Sequence, residues 1–124
     1  MVKRIEPKEQ YEEMPCSYVA VGYAYEKFYQ KPFAQPLPKE LKDNGYLTTA
    51  AMNKYIRTHL PVKKKVHYNR GTRPALKEIL EGNTSRCIIC VYGHFLYAEY
   101  NQYWSFFDNE IDDVVDIWYL EDKV

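Results

Sequence analysis

A cysteine, a histidine and an Asp-Asn pair follow one another along this chain in an order that can support nucleophilic catalysis. Cys16 follows Pro15 at the start of a helix-like stretch, His94 opens a strand-like segment, and Asp108 and Asn109 close the next one. A thiolate nucleophile needs a base, and the base needs an acceptor that orients its ring. The order therefore predicts acyl transfer through a thiol, with Cys16 as the nucleophile and His94 as the base.

Gln10 is a candidate for the fourth part of such a site, the donor that stabilises the oxyanion. It lies upstream of Cys16 within residues 1–15, a segment that two prolines predict to be irregular. Its side-chain amide can therefore reach the thiol. Removing one oxyanion donor typically lowers turnover by about 10²–10³-fold. The backbone N–H of Cys16 is a second candidate, because amides in the first turn of a helix lack an intrahelical acceptor.

The segment from Cys16 to about Gln30 is predicted to be a helix, because Val21, Tyr25 and Phe28 recur at helical spacing. Pro32 ends the pattern. A cysteine in the first turn of this helix lies next to unpaired N–H groups and the positive end of the helix dipole. Both features favour the thiolate form.

The remaining pattern predicts an α+β fold. Two further helices are expected, one from Thr48 or Thr49 to about His59 and a short one that begins at Thr72 or Arg73. Weak alternation over residues 62–68 predicts a strand between these two helices, and four more strands are expected after them, at 86–92, 94–100, 103–108 and 114–120. Helices followed by antiparallel strands predict an N-terminal helix, carrying the cysteine, that packs against a C-terminal antiparallel sheet. The length predicts one domain over residues 1–124.

The third member of the site depends on how two of these strands pair. A hairpin turn predicted at Asn101-Gln102 places His94 opposite about Asn109, with Asp108 adjacent. The alternation of side chains does not distinguish these neighbours. Either Asp108 or Asn109 is therefore a candidate to orient the imidazole.

These residues together resemble a known family. Gln10-x5-Cys16 leading into a helix, Gly93-His94-Phe95, and the strand–turn–strand that ends at Asp108 look like the C39 and C39-like families of papain-like cysteine peptidases. The resemblance covers nearly the whole chain. It implies a papain-like fold with Cys16 as nucleophile, His94 as general base, Asp108 as acidic third member and Gln10 as oxyanion glutamine. It also implies a peptide or protein substrate and no cofactor.

The chain departs from the family pattern at three positions, and these leave alternatives open. Pro15, Ser17 and Asn109 stand where the family usually has Asp, Gly and Pro. The leading interpretation is a thiol hydrolase acting as a cysteine peptidase, and deamidation or transfer to an amine uses the same parts. One alternative is a catalytically inactive papain-like domain that binds a peptide or protein. Another is a cell-wall amidase of the CHAP or NlpC/P60 kind.

Composition excludes some other classes of function. The 17 basic and 17 acidic residues balance, so no general attraction to nucleic acid or anionic membranes is expected. The basic run Lys63-Lys64-Lys65 and the acidic segment 108–122 are interpreted as solvated faces. No segment is apolar and long enough to cross a bilayer, and the first residues lack the apolar core of a signal peptide. We therefore expect a cytoplasmic protein without membrane insertion.

Cysteine usage supports the same compartment. Three cysteines are an odd number, which argues against a disulfide framework. Cys87 and Cys90 form a CxxC pair with His94 close behind, a spacing that zinc sites also use. The pair lies in an apolar strand, where positions i and i+3 point to opposite faces. Core packing is therefore the preferred interpretation, and no metal is predicted.

Overall fold

The computed structural model describes residues 1–122 and has a mixed α+β architecture, which confirms the predicted class. The described residues contain one six-stranded sheet and four α-helices. The helices are α1 (Cys16–Tyr29), α2 (Lys39–Asn44), α3 (Thr49–His59) and α4 (Leu76–Leu80), and a 3-10 helix covers Glu9–Tyr11. No helix among these residues combines the length and apolarity needed to cross a membrane.

The sheet contains one strand that the sequence pattern did not predict. Its strand order is β1-β5-β4-β3-β6-β2. The bounds are β1 (Lys3–Ile5), β2 (Val62–His67), β3 (Arg86–Val91), β4 (His94–Glu99), β5 (Gln102–Trp104) and β6 (Val114–Leu120). The prediction that residues 1–15 are irregular is wrong at β1, which pairs in parallel with β5. That pairing brings residues 3–5 against residues 102–104. Because the two segments are so far apart in sequence, no local pattern of residues indicates it.

Helix α1 covers one face of this sheet, and its packing positions the site. Its residues Val21 and Ala24 are fully buried, and the helix packs against β4 and β3. The small side chains along it allow this close approach. The helix ends at Gln30, which adopts a left-handed conformation with φ of 56°.

The side chains of the sheet divide between two apolar layers, as alternation along strands requires. Ile88, Tyr97 and Trp118 belong to the layer beneath α1. Ile89 and Leu96 belong to the layer on the other face, which packs against α4. The positions of Cys16 and His94 are therefore fixed by a helix and a strand that share a buried core.

The β4–β5 hairpin turns one residue earlier than predicted. Glu99 pairs with Gln102, and Tyr100 adopts a left-handed φ of 55° in the turn. Strand β5 also ends at Trp104 instead of continuing to Asp108, although the next amide, Ser105 N, still donates to Ile5 O of β1 at 3.1 Å. The predicted pairing of His94 with Asn109 across the hairpin is therefore wrong.

Candidate functional site

Cys16 and His94 line the same cavity. The cavity has a volume of about 490 Å³ and lies between the first half of α1 and the adjoining parts of β4 and β5. Its size falls in the range of small-ligand sites. Its wall consists of Glu6, Pro7, Glu12, Met14, Cys16, Val19, Ala20, Tyr23, His94, Phe95, Leu96, Tyr97, Trp104, Ser105, Phe106 and Phe107. A thiol, an imidazole and a largely aromatic wall thus share one space.

Cys16 is the first residue of α1 and is half-buried. Pro15 precedes the helix with φ of −59° and ψ of 138°, an extended conformation that begins the turn at the cysteine. The first backbone bond of the helix runs from Val19 N to Pro15 O at 3.1 Å. The N–H groups of Cys16 and Ser17 precede that bond and have no intrahelical acceptor. These amides are available to an oxyanion formed at the cysteine.

His94 is the first residue of β4 and is also half-buried. Burial lowers the pKa of its imidazole below the ordinary value of 6.5, and the negative charge of Asp112 opposes this with a smaller effect. The ring is therefore neutral at physiological pH. A neutral imidazole has one nitrogen free to accept a proton.

A chain of hydrogen bonds connects His94 to a buried asparagine through a serine. His94 Nε2 lies 3.3 Å from Ser105 Oγ, and Ser105 Oγ donates to Asn109 Oδ1 at 2.6 Å. A hydroxyl carries a single proton. Since that proton is given to Asn109, Ser105 Oγ must accept from His94 Nε2–H. This network assigns the proton of the neutral ring to Nε2 and leaves Nδ1 as the basic nitrogen.

Asn109 is held rigidly at the centre of this network. It is 6% exposed, its backbone N donates to Tyr103 Oη at 3.2 Å, and its Nδ2 donates to Asp112 Oδ2 at 2.8 Å. The chain of hydrogen bonds from His94 thus ends on a carboxylate. Of the two predicted third members, Asn109 is the one connected to the imidazole, and Ser105 mediates the connection.

Sequence reasoning missed Ser105. The predicted strand 103–108 extended regular alternation of side chains through Ser105 and gave that residue no part in the site. Because β5 ends at Trp104, that alternation does not apply beyond it. A hydroxyl residue between two aromatic residues, with an asparagine soon after, was the available signal.

Asp108 is not brought to His94. Its side chain is exposed, and its Oδ1 accepts from Tyr103 Oη at 3.4 Å and from Glu110 N at 3.0 Å. An aspartate that accepts from the amide two residues later stabilises a turn. The observed contacts of Asp108 are therefore those of a turn residue and not of an imidazole acceptor.

Gln10 also lies outside the cavity wall. It is exposed in the 3-10 helix Glu9–Tyr11, whose anchor is the buried Tyr11. The Tyr11 ring packs against Tyr23 at 5.2 Å, and burial together with the charge of Glu26 raises the pKa of its hydroxyl to about 12. Hydrogen bonding by the Gln10 side chain to the Tyr11 hydroxyl opposes that rise in pKa, so Gln10 is placed against Tyr11. In the described structure the wall before the cysteine is formed by Glu6, Pro7, Glu12 and Met14.

The thiol and the imidazole are not joined directly. Within residues 1–122, the side-chain hydrogen bond recorded for His94 is with Ser105 and not with Cys16. Catalytic hydrogen bonds are often long in structures without substrate and tighten when substrate binds. Cys16 and His94 line one cavity of about 490 Å³, which has room for a reacting carbonyl.

Comparison with known proteins gives no relative for this chain. No family model matches it, and neither a curated protein nor a solved structure matches it. The chemistry of the cavity is therefore interpreted from its own residues.

The two other cysteines belong to the core of the sheet. Cys87 is fully buried in the layer next to α4, whereas Cys90 packs against the layer beneath α1. Burial raises the pKa of both thiols to about 12, so they are protonated at physiological pH. Nor does any group of three or more potential ligands suited to a metal ion occur in residues 1–122.

Proposed function

We propose that this chain is a thiol hydrolase of papain-like kind, acting as a cysteine peptidase through Cys16. The observation that carries the proposal is the shared cavity of Cys16 and His94, with the imidazole tied through Ser105 to the buried Asn109. A nucleophile at a helix start, a base across a cavity and an oriented ring are the parts that acyl transfer requires.

The reaction follows from the assigned protons. His94 Nδ1 takes the proton of the Cys16 thiol, and the sulfur attacks the carbonyl carbon of a bound amide. The resulting oxyanion accepts hydrogen bonds from the first-turn amides of α1. His94 returns the proton to the leaving nitrogen as the C–N bond breaks, which leaves an acyl group on the sulfur. Water, deprotonated by His94, then hydrolyses the thioester and restores the thiol.

The third member in this proposal is Asn109 acting through Ser105, in place of Asp108. An orienting acceptor holds the imidazole in one tautomer and one direction. The serine hydroxyl supplies that acceptor, and the asparagine amide fixes the hydroxyl. Papain-like sites use Asp or Asn for this role, so the assignment stays within the chemistry of the resemblance.

Covalent capture of Cys16 tests the proposal. On incubation with an activated acyl ester such as a p-nitrophenyl ester, we expect one acyl group on Cys16 in a rapid first phase, observed by mass spectrometry of the intact protein and its peptides. The Cys90→Ala variant should acylate as the wild type does, whereas Cys16→Ala should not acylate. Modification distributed over lysines, with Cys16 unmodified, would overturn the proposal.

A second candidate function is a binding domain that has no turnover. Two observations favour it: Gln10 lies outside the cavity wall, and His94 bonds Ser105 instead of Cys16. In that case the cavity holds a peptide segment without cutting it. The same capture experiment separates the two, because a binding domain leaves Cys16 unacylated.

A further inference from the structure

We propose that the cavity takes a cationic side chain, so that the peptide substrate carries lysine or arginine at the position that enters it. That the bound lysine or arginine belongs to a substrate rests on the hydrolase function proposed above. Its binding depends only on the wall of the cavity and is independent of that function. Three features of the protein support this preference: the aromatic residues of the lining, the carboxylates at the wall and the acidic residues of the neighbouring segments.

The aromatic wall suits a cation. Tyr23, Phe95, Trp104 and Phe107 are among the residues that line the cavity. Ammonium and guanidinium groups are attracted to the faces of such rings, with tryptophan the strongest partner. The protein already makes one contact of this type there, because Lys27 Nζ lies 5.2 Å from the centre of the Trp104 ring.

The charged groups of the wall are acidic. Glu6 and Glu12 line the cavity, and both are exposed. The ion pairs recorded within residues 1–122 do not include either carboxylate. No lysine or arginine belongs to the wall, and the only other ionisable groups there are the site residues Cys16 and His94 and the phenols Tyr23 and Tyr97. An entering cation therefore meets negative charge and π-electron density, and it competes with Lys27 for the Trp104 ring.

The segments that supply the cavity wall are also rich in acidic residues. Residues 9–26 and 87–122, which supply most of the wall, contain many carboxylates and no lysine or arginine. Two cations also stand beside the wall: Arg4 donates to Ser105 O at 3.1 Å, and Lys27 lies on the Trp104 ring. The basic run Lys63-Lys64-Lys65 lies on β2, at the sheet edge opposite β1 and β5. The carboxylates of the two segments outnumber these two cations, and this acidic excess favours a basic ligand.

Peptide binding to the Cys16→Ala variant tests the inference without turnover. The probes are acetyl-Ala-Ala-X-Ala-Ala-amide peptides with X as lysine, norleucine or glutamate, followed by isothermal titration. We expect the lysine peptide to bind at least about tenfold more tightly than the other two, and to weaken as salt is added. Norleucine has the same apolar stem as lysine, so this comparison isolates the charge.

A matched pair of variants locates the effect. Adding Glu6→Gln and Glu12→Gln should weaken binding of the lysine peptide by on the order of tenfold, as expected for two exposed charge pairs assisted by the cavity. Glu81→Gln, an exposed change at the end of α4 on the opposite face, should leave it unchanged. Equal binding of the three peptides, no binding of any, or no effect of the double variant would overturn the inference.

The outcome separates this inference from the hydrolase proposal. If the lysine peptide binds selectively but wild-type Cys16 is never acylated, the cavity is a cation site and the hydrolase proposal fails. If Cys16 is acylated but the three peptides bind alike, the hydrolase stands and the cationic preference is wrong.

Discussion

Replacing His94 with alanine is expected to lower kcat/KM for any substrate of this protein by at least about 10³-fold. Removing the base leaves the Cys16 thiol without a proton acceptor and the leaving nitrogen without a donor. His94 makes one side-chain hydrogen bond in the described structure, to Ser105, so the substitution removes little packing and the fold should persist. Steady-state kinetics on purified protein, with circular dichroism to verify folding, measure this effect.

His67 provides the matched control for that experiment. It lies on β2, where its Nδ1 is 2.7 Å from Asp116 Oδ1, away from the cavity wall. A glutamine amide can also donate to that carboxylate. His67→Gln should therefore keep kcat/KM within about twofold of wild type. Equal losses in the two variants would contradict the role assigned to His94.

The pH dependence of turnover follows from the burial of His94. Its pKa lies below 6.5 because burial disfavours the charged ring. The imidazole must be neutral to take the thiol proton, and protonation in acid removes that capacity. Activity is therefore expected to persist through the neutral range and to fall only as the pH drops below 6.5. This acid limb should be absent from the residual rate of His94→Ala.

Replacing Ser105 with alanine is expected to lower kcat by about 10²-fold, an effect second only to that of His94→Ala. The hydroxyl is the acceptor for His94 Nε2–H and the link to Asn109, so its loss frees the ring to adopt other orientations and the other tautomer. In a serine protease, loss of the orienting aspartate's charge lowers kcat by about 10⁴-fold. That value is an upper bound on the fall in kcat when a neutral acceptor such as Ser105 is lost. KM should change little, because Ser105 acts through the imidazole.

Asp108 is the control that distinguishes this network from the predicted triad. Asp108→Ala removes acceptors from Tyr103 and Glu110 but none from His94. It should lower stability slightly and leave kcat near wild type, whereas Ser105→Ala should also shift the acid limb of the pH profile. A large kcat loss in Asp108→Ala together with a normal Ser105→Ala would restore Asp108 as the third member.

The local elements were predictable because their signals are local. Helix α3 spans Thr49–His59 as predicted, and Thr48 Oγ1 accepts from Ala51 N at 3.2 Å as a helix cap. Helix α1 begins at Cys16 because apolar periodicity and Pro15 act on the same segment. These features depend on residues that are neighbours in sequence.

The site geometry was not predictable in the same way, because it depends on distant contacts. The hairpin turn lies one residue early, with Tyr100 in the left-handed region, and Asn83 Nδ2 donates to Tyr100 O at 2.9 Å from a separate loop. Strand β5 ends at Trp104, and Ser105 and Asn109 beyond it form the hydrogen-bond network to His94. The Gln10 side chain, in turn, interacts with the Tyr11 hydroxyl and is not part of the cavity wall.

In the proposed mechanism the thiol of Cys16 and the imidazole of His94 act as one unit. The most direct test is the rate of iodoacetamide alkylation at each cysteine, followed by mass spectrometry from pH 5 to 9, in wild type and His94→Ala. We expect Cys16 to react rapidly below pH 8 only when His94 is present, while Cys87 and Cys90 stay slow because burial raises their pKa to about 12. A Cys16 that is inert, or that titrates as a free thiol in both proteins, would contradict the account.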